Sequence, residues 1–221
     1  MGKTAVVVAL VWGDYALFTR PEMKAERVSY DVMTPSAARG LLEAIYWHPG
    51  LKWRIDRIHV LHPVQFTSVR RNEIAKKASA SNLRTMMAGG QPDFISAHDS
   101  ICQRASLLLR DVRYVIDAHF ETEPGADEAK FYNIMLRRLR NGQCYHQPCL
   151  GCREFPAHFA LYEEPGDPLT AYPEEESRDL GYMLYDIDYT DPQALAPLFF
   201  RARLTRGVLD LRDVRKEELR R

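Results

Sequence analysis

Tyrosine, lysine, arginine and histidine can between them move a proton and neutralise a phosphate, and this chain gathers them in a few places. Tyr46, Trp47 and His48 stand together just before Pro49-Gly50. Arg20, Lys24 and Arg27 lie upstream, Arg70-Arg71 follow in a polar stretch, and Arg137-Arg138 close a segment that opens with Asp127 and Glu128. Cations of this kind neutralise phosphates, and exposed rings interleaved with them stack on unpaired bases. The same residues would also suit a solvated charged face with Trp47 and Trp53 in the core. Residue types alone leave both readings open.

A second cluster holds Cys144, His146, Cys149 and Cys152, with Cys102 apart. Its C-x4-C-x2-C spacing has no matching second pair, so it is not a standard zinc finger or ribbon. It reads as reduced thiols near a turn, with no metal expected; a zinc-dependent module is the competing reading. Walker A, G-x-G-x-x-G, H-E-x-x-H and G-x-S-x-G motifs do not occur, and no cofactor is implied.

The elements that must position these groups follow from periodicity and caps. Residues 4–12 read as a buried strand, too short to span a bilayer, with a turn or bulge signal at Gly13-Asp14. Thr34 is a good N-cap and Pro35 suits the first helical position. Ala38, Leu41, Leu42 and Ile45 then give a helix an apolar face, predicted over 35–47 and ended by Pro49-Gly50, so Tyr46 falls in its last turn. Residues 51–64 alternate as a strand that slips near Asp56-Arg57, and 65–72 reads as its hairpin partner. Residues 73–99 show no period and read as a long functional loop. Two strands follow, through 104–109 and 112–120. A second helix is predicted over 127–140, acidic at its start and basic at its end, with Gly142 beyond it and Phe131, Ile134, Met135 and Leu139 as its core stripe. Short strands are expected at 157–162 and 181–187, and a hairpin at 199–204 and 207–211.

This order predicts an α+β chain. Residues 1–145 form a ferredoxin-like (RRM-type) domain with an antiparallel sheet, and 146–221 a β-rich C-terminal part, either a small lobe or an extension of the first sheet. At 221 residues such a chain buries a real core. The formal net charge is zero, yet residues 1–160 carry 21 basic against 16 acidic side chains, 161–191 carry 1 against 10, and 192–221 carry 8 against 4. A neutral total therefore hides a basic body compatible with nucleic acid. Without a signal peptide or membrane span, the expected location is the cytoplasm.

Longer blocks say more. GDYALFTRPEMKAERVSYDVMTPSAARGLLEAIYWHPGLKW, RRNE at 70–73, KFYNIMLRRLRNGQC and PCLGCREF resemble the CRISPR-associated Cas-five family, subtype I-C, in order and over residues 13–155. The resemblance implies an endoribonuclease that cuts precursor CRISPR RNA within the repeat and stays on the 5′ handle of the guide. Its partners would be that RNA, the backbone and large subunits of a type I-C Cascade complex, and target DNA within the complex, with no membrane. The implied chemistry needs no metal: a 2′-hydroxyl attacks the adjacent phosphate, leaving a 2′,3′-cyclic phosphate and a 5′-hydroxyl. It needs a base, a cation for the phosphorane and an acid. The family's tyrosine falls on Tyr46 and its lysine on Lys130, but its histidine position holds Phe131. Either Tyr46 and Lys130 suffice, the ammonium favouring phenolate, or His48 or His146 supplies the missing group. The alternative is a non-catalytic scaffold that caps the handle. Expected RNA contacts are Arg20, Lys24, Arg27, Trp47, Arg70, Arg71, Arg137 and Arg138.

Overall fold

The first helix begins where its sequence dictates. Thr34 is extended, and its hydroxyl accepts a hydrogen bond from the Ala37 N–H at 3.2 Å, with Pro35 opening α1, Pro35–Ile45. A computed structural model describes residues 5–23, 25–91, 93–173, 176–191, 193–214 and 219–220. Its other elements are β1 (Val7–Ala16), β2 (Arg27–Val28), β3 (Leu51–Val60), β4 (Phe66–Ile74), α2 (Ala80–Met87), α3 (Ala97–Ser100), β5 (Ile101–Thr122), α4 (Glu128–Asn141), β6 (His158–Leu161), β7 (Ser177–Asp188), β8 (Ala196–Thr205) and β9 (Val208–Asp210).

The architecture is α+β. One mostly antiparallel sheet runs β6-β1-β5-β3-β9-β8-β7, with β2 and β4 joined to the outer half of β5. A single apolar core unites Val7, Val11, Ile58, Tyr114, Ile116 and Phe120 of the sheet with Leu42 and Ile45 of α1 and Phe131, Met135 and Leu139 of α4. The second helix matches its prediction at both ends: the Asp127 carboxylate accepts from the Lys130 N–H at 3.0 Å, and Gly142 is left-handed at φ 62°. The slip expected near Asp56-Arg57 is present, since the β3–β5 register shifts between Ile55 and Arg57.

Five expectations change. β1 runs straight through Gly13-Asp14, because Gly13 serves close packing rather than a turn: a Cβ there would meet Leu150 Cδ1 at 2.6 Å. The strand after Pro63 pairs with β5 instead of β3, Phe66 opposite Leu109 through Ile74 opposite Ile101. The two strands expected between 104 and 120 are one, β5, which continues through Asp111 at φ 51°. Segment 73–99 contains α2, capped by Ser79 but with none of its residues buried, and the single-turn α3. Finally, α1 stops at Ile45, and Tyr46 is already extended at φ −147°, ψ 117°. Tertiary donors, described next, take up the last carbonyls of α1, so the chain leaves the helix before the proline forces it to.

Candidate active site

The C-terminal end of α1 has no glycine cap; distant residues satisfy it. The Ala44 carbonyl accepts from the Tyr145 and His146 N–H groups, both at 3.0 Å. The Ile45 carbonyl accepts from the Arg138 guanidinium, and the Tyr46 carbonyl from the Trp53 indole at 3.0 Å. These bonds answer the orphan acceptors that every helix end leaves. They also fix Tyr46, whose side chain is buried, its ring covered by Arg138 Cζ at 5.0 Å from the centroid and tilted against Phe131 at 6.3 Å. His48 lies on the other side of Phe131, ring centroids 4.9 Å apart. Tyr46 and His48 thus both pack on one apolar ring, and Arg138 covers Tyr46.

Burial pushes the Tyr46 phenol above its ordinary value near 10, and the Arg138 charge pulls it part of the way back. The phenol therefore keeps its proton at neutral pH, burial outweighing the pull of the neighbouring cation toward phenolate. Lys130, beside Phe131 in the first turn of α4, is exposed and makes no ion pair with a described carboxylate. His146 reaches the site only through its backbone, its ring turned against Tyr145 at 4.3 Å. The loop that carries it is pinned to the end of β1: Leu17 N–H donates to Leu150 O at 3.0 Å, and a Cβ on Gly151 would come within 2.0 Å of Leu17 O. In the same loop burial raises the Cys149 and Cys152 thiols. Among the described residues no three His, Cys, Asp or Glu side chains gather to hold a metal ion.

The other expected contacts divide by environment. Trp47, 55% exposed, Arg70 and Arg137 face solvent. Arg20 is tied to Asp31 at 2.9 Å and covers the Tyr30 ring at 4.6 Å. Arg27 and Arg71 converge with Arg104 on Glu73, at 3.7, 3.6 and 3.5 Å, and Arg71 also binds Glu154. The carboxylate offsets the repulsion of Arg71 and Arg104, which sit directly opposite across β4 and β5. Arg104 was not among the sequence candidates; only the β4–β5 register brings it forward. Lys24 lies outside the described residues.

Residues 6–212 match the family described as CRISPR-associated protein (Cas_Cas5), under the name Cas_Cas5d. The chain belongs to the Cas5 family. Two curated relatives share that assignment, each named CRISPR pre-crRNA endoribonuclease Cas5d. The one from Mannheimia succiniciproducens is 50% identical over 220 residues, 96% of each chain, and the one from Thermus thermophilus 40% identical over 230 residues, 95% of this chain and 92% of its own. The resemblance read from residues 13–155 is thereby borne out, subtype included. A crystal structure described as a CRISPR-associated protein superposes with a TM-score of 0.71 at 23% identity, covering 100% of this chain and 99% of its own. A functionally uncharacterized protein, SMU1763c from Streptococcus mutans, gives 0.67 at 21%, covering 96% and 94%. Both share the fold of this Cas5 chain. Among the described residues no helix is long and apolar enough to cross a membrane.

Proposed function

We propose that this protein is a pre-crRNA endoribonuclease that cuts within the CRISPR repeat without a metal and remains on the 5′ handle as a subunit of a type I-C Cascade complex. The observation that carries the catalytic reading is the packing of Tyr46 and His48 on Phe131, with Arg138 over the Tyr46 ring, at the place where the family resemblance puts a tyrosine and a histidine. In this reading the His48 imidazole takes the proton of the attacking 2′-hydroxyl. The 2′-oxygen then bonds to phosphorus, the Lys130 ammonium neutralises the phosphorane, and the 5′-oxygen leaves with the proton of Tyr46. A phenol held protonated by burial suits the role of acid. Arg138 holds its ring in place.

The RNA would run over Trp47 and the basic groups named above: Arg20, Lys24 and Arg27, which precede α1 in the sequence, Arg70 and Arg71 on β4, and Arg137 on α4. The strand order β6-β1-β5-β3, antiparallel throughout, with α1 and α4 joined in one core, supports a ferredoxin-like unit. Residues 1–145 would supply catalysis and RNA binding, with β6 of the 146–221 part completing the unit and β7, β8 and β9 extending the same sheet. Backbone and large subunits, and target DNA, are the partners of that assembly.

A second reading has its own support. Phe131 cannot transfer a proton and Tyr46 resists ionisation, as a non-catalytic subunit capping the handle would allow. Incubation of the purified protein with a labelled repeat hairpin in EDTA separates the two. The nuclease gives one cut with a 2′,3′-cyclic phosphate, abolished in Tyr46→Phe and His48→Ala. Tight binding without cleavage in the wild type identifies the scaffold.

A further inference from the structure

A cleft of about 700 Å³ lies between the end of β3, the β8–β9 turn and the loop 167–172. Ile58 and Val60 enter the core with the helices, while Arg57 and His59 alternate to the opposite side and line the cleft. It is therefore on the other face of the sheet from Tyr46.

His59 is 1% exposed. Its Nε2 lies 3.1 Å from the Asp117 carboxylate, which also accepts from Arg57 Nε at 2.7 Å. A carboxylate only accepts, so Nε2 carries a proton, and in the neutral ring Nδ1 offers a lone pair. That buried Nδ1 has no hydrogen-bond partner among the described residues. An unpaired buried acceptor carries a real desolvation cost, which a donor entering the cleft would relieve.

The cationic lining is of two kinds. Arg57 is held by Asp117 and Asp167, and Arg212 by Asp210. Arg203 and Arg206 also line the cleft and make no ion pair among the described residues. Arg206 stands in the left-handed region at φ 54°, followed by Gly207 at 71°. Two positive φ values in a two-residue hairpin turn favour asparagine and glycine, so arginine is held there against its own preference. The turn is locked from outside as well: the Thr170 hydroxyl donates to the Arg206 carbonyl at 2.7 Å, and a Cβ on Gly207 would meet Thr170 Cβ at 2.6 Å.

We propose that this cleft binds one ribonucleotide of an RNA strand, its phosphate on Arg203 and Arg206 and its 2′-hydroxyl donating to His59 Nδ1. The proposal rests on the RNA-binding reading above and adds to it a second, ribose-selective contact on the opposite face of the sheet. A protein reads RNA against DNA through that hydroxyl.

Two probes test it on the full-length protein. Adenosine 3′,5′-bisphosphate, added to isotopically labelled protein, should shift the His59 and arginine side-chain resonances at lower concentration than its 2′-deoxy analogue. R203A/R206A should abolish those shifts, weaken binding of labelled repeat RNA roughly tenfold and reduce the salt slope by about one. Unchanged cleft resonances, equal response to the deoxy analogue, or double-variant affinity within about twofold of wild type would each overturn it. Wild-type protein that neither binds nor cuts repeat RNA, while the bisphosphate still shifts the cleft, sinks the nuclease reading instead. The double variant leaves the buried His59–Asp117 pair intact, so a folding defect in any His59 variant does not decide the matter.

Discussion

Helices α1 and α2 begin in the same way and end up with opposite standing. Each opens on a hydroxyl cap, Thr34 accepting from Ala37 N–H at 3.2 Å and Ser79 from Asn82 N–H at 3.4 Å. Yet α1 buries Pro35, Ala38, Leu41, Leu42 and Ile45, and α2 buries nothing, its Leu83 and Met87 left 49% and 88% exposed. A cap decides where a helix starts; only packing makes it part of the body. Tyr46 and His48 follow directly on the packed helix.

Core truncation sharpens this contrast most. Leu42→Ala should cost about 2–5 kcal/mol, while Leu83→Ala should stay within about 0.5 kcal/mol. Urea unfolding compares them, and equal losses would mean that α2 is held as firmly as α1. Next comes Arg138→Ala, which strips the Ile45 carbonyl of its donor and uncovers Tyr46, for a loss of about 1–3 kcal/mol. Because Arg138 lowers the phenol's pKa, the same variant should move the tyrosinate absorbance of Tyr46 to still higher pH. Caps give a smaller difference. Thr34→Ala should cost about 1 kcal/mol globally, whereas Ser79→Ala should speed amide exchange in α2 and leave the urea midpoint unmoved.

The pH dependence is smaller still, and its sign is fixed. Burial raises Tyr46, and Tyr114 further, above the unfolded value near 10, so the native state holds these protons more tightly. The associated stability is complete below pH 10 and falls as pH rises through the native values. The urea midpoint should therefore drop as pH rises above about 10, less so in Tyr46→Phe.

What could be read beforehand was local. Thr34-Pro35, the Asp127 and Gly142 ends of α4 and the slip after Ile55 each carry their physics within a few residues. The pairing of β4 with β5 does not, because sequence neighbours favour a hairpin with β3 and only the assembled sheet sets the register. The exposed α2 escaped for a related reason: with no core to face, it has no apolar stripe. In the site, Tyr46 was visible through family resemblance. Arg138 was legible only as a cation, since its bond to Ile45 O spans 93 positions of sequence. The tilted packing of His48 on Phe131 was hidden likewise.

The borrowed ending of α1 also sets an order of assembly during synthesis. Its last carbonyls wait for Trp53, Arg138, Tyr145 and His146, and three of those four emerge from the ribosome long after Tyr46 itself. A nascent chain that already has α1 and β3 still lacks the groups that seat the tyrosine. The pocket is thus among the late features to form, and a chain cut short before residue 138 would carry Tyr46 without a fixed place for it.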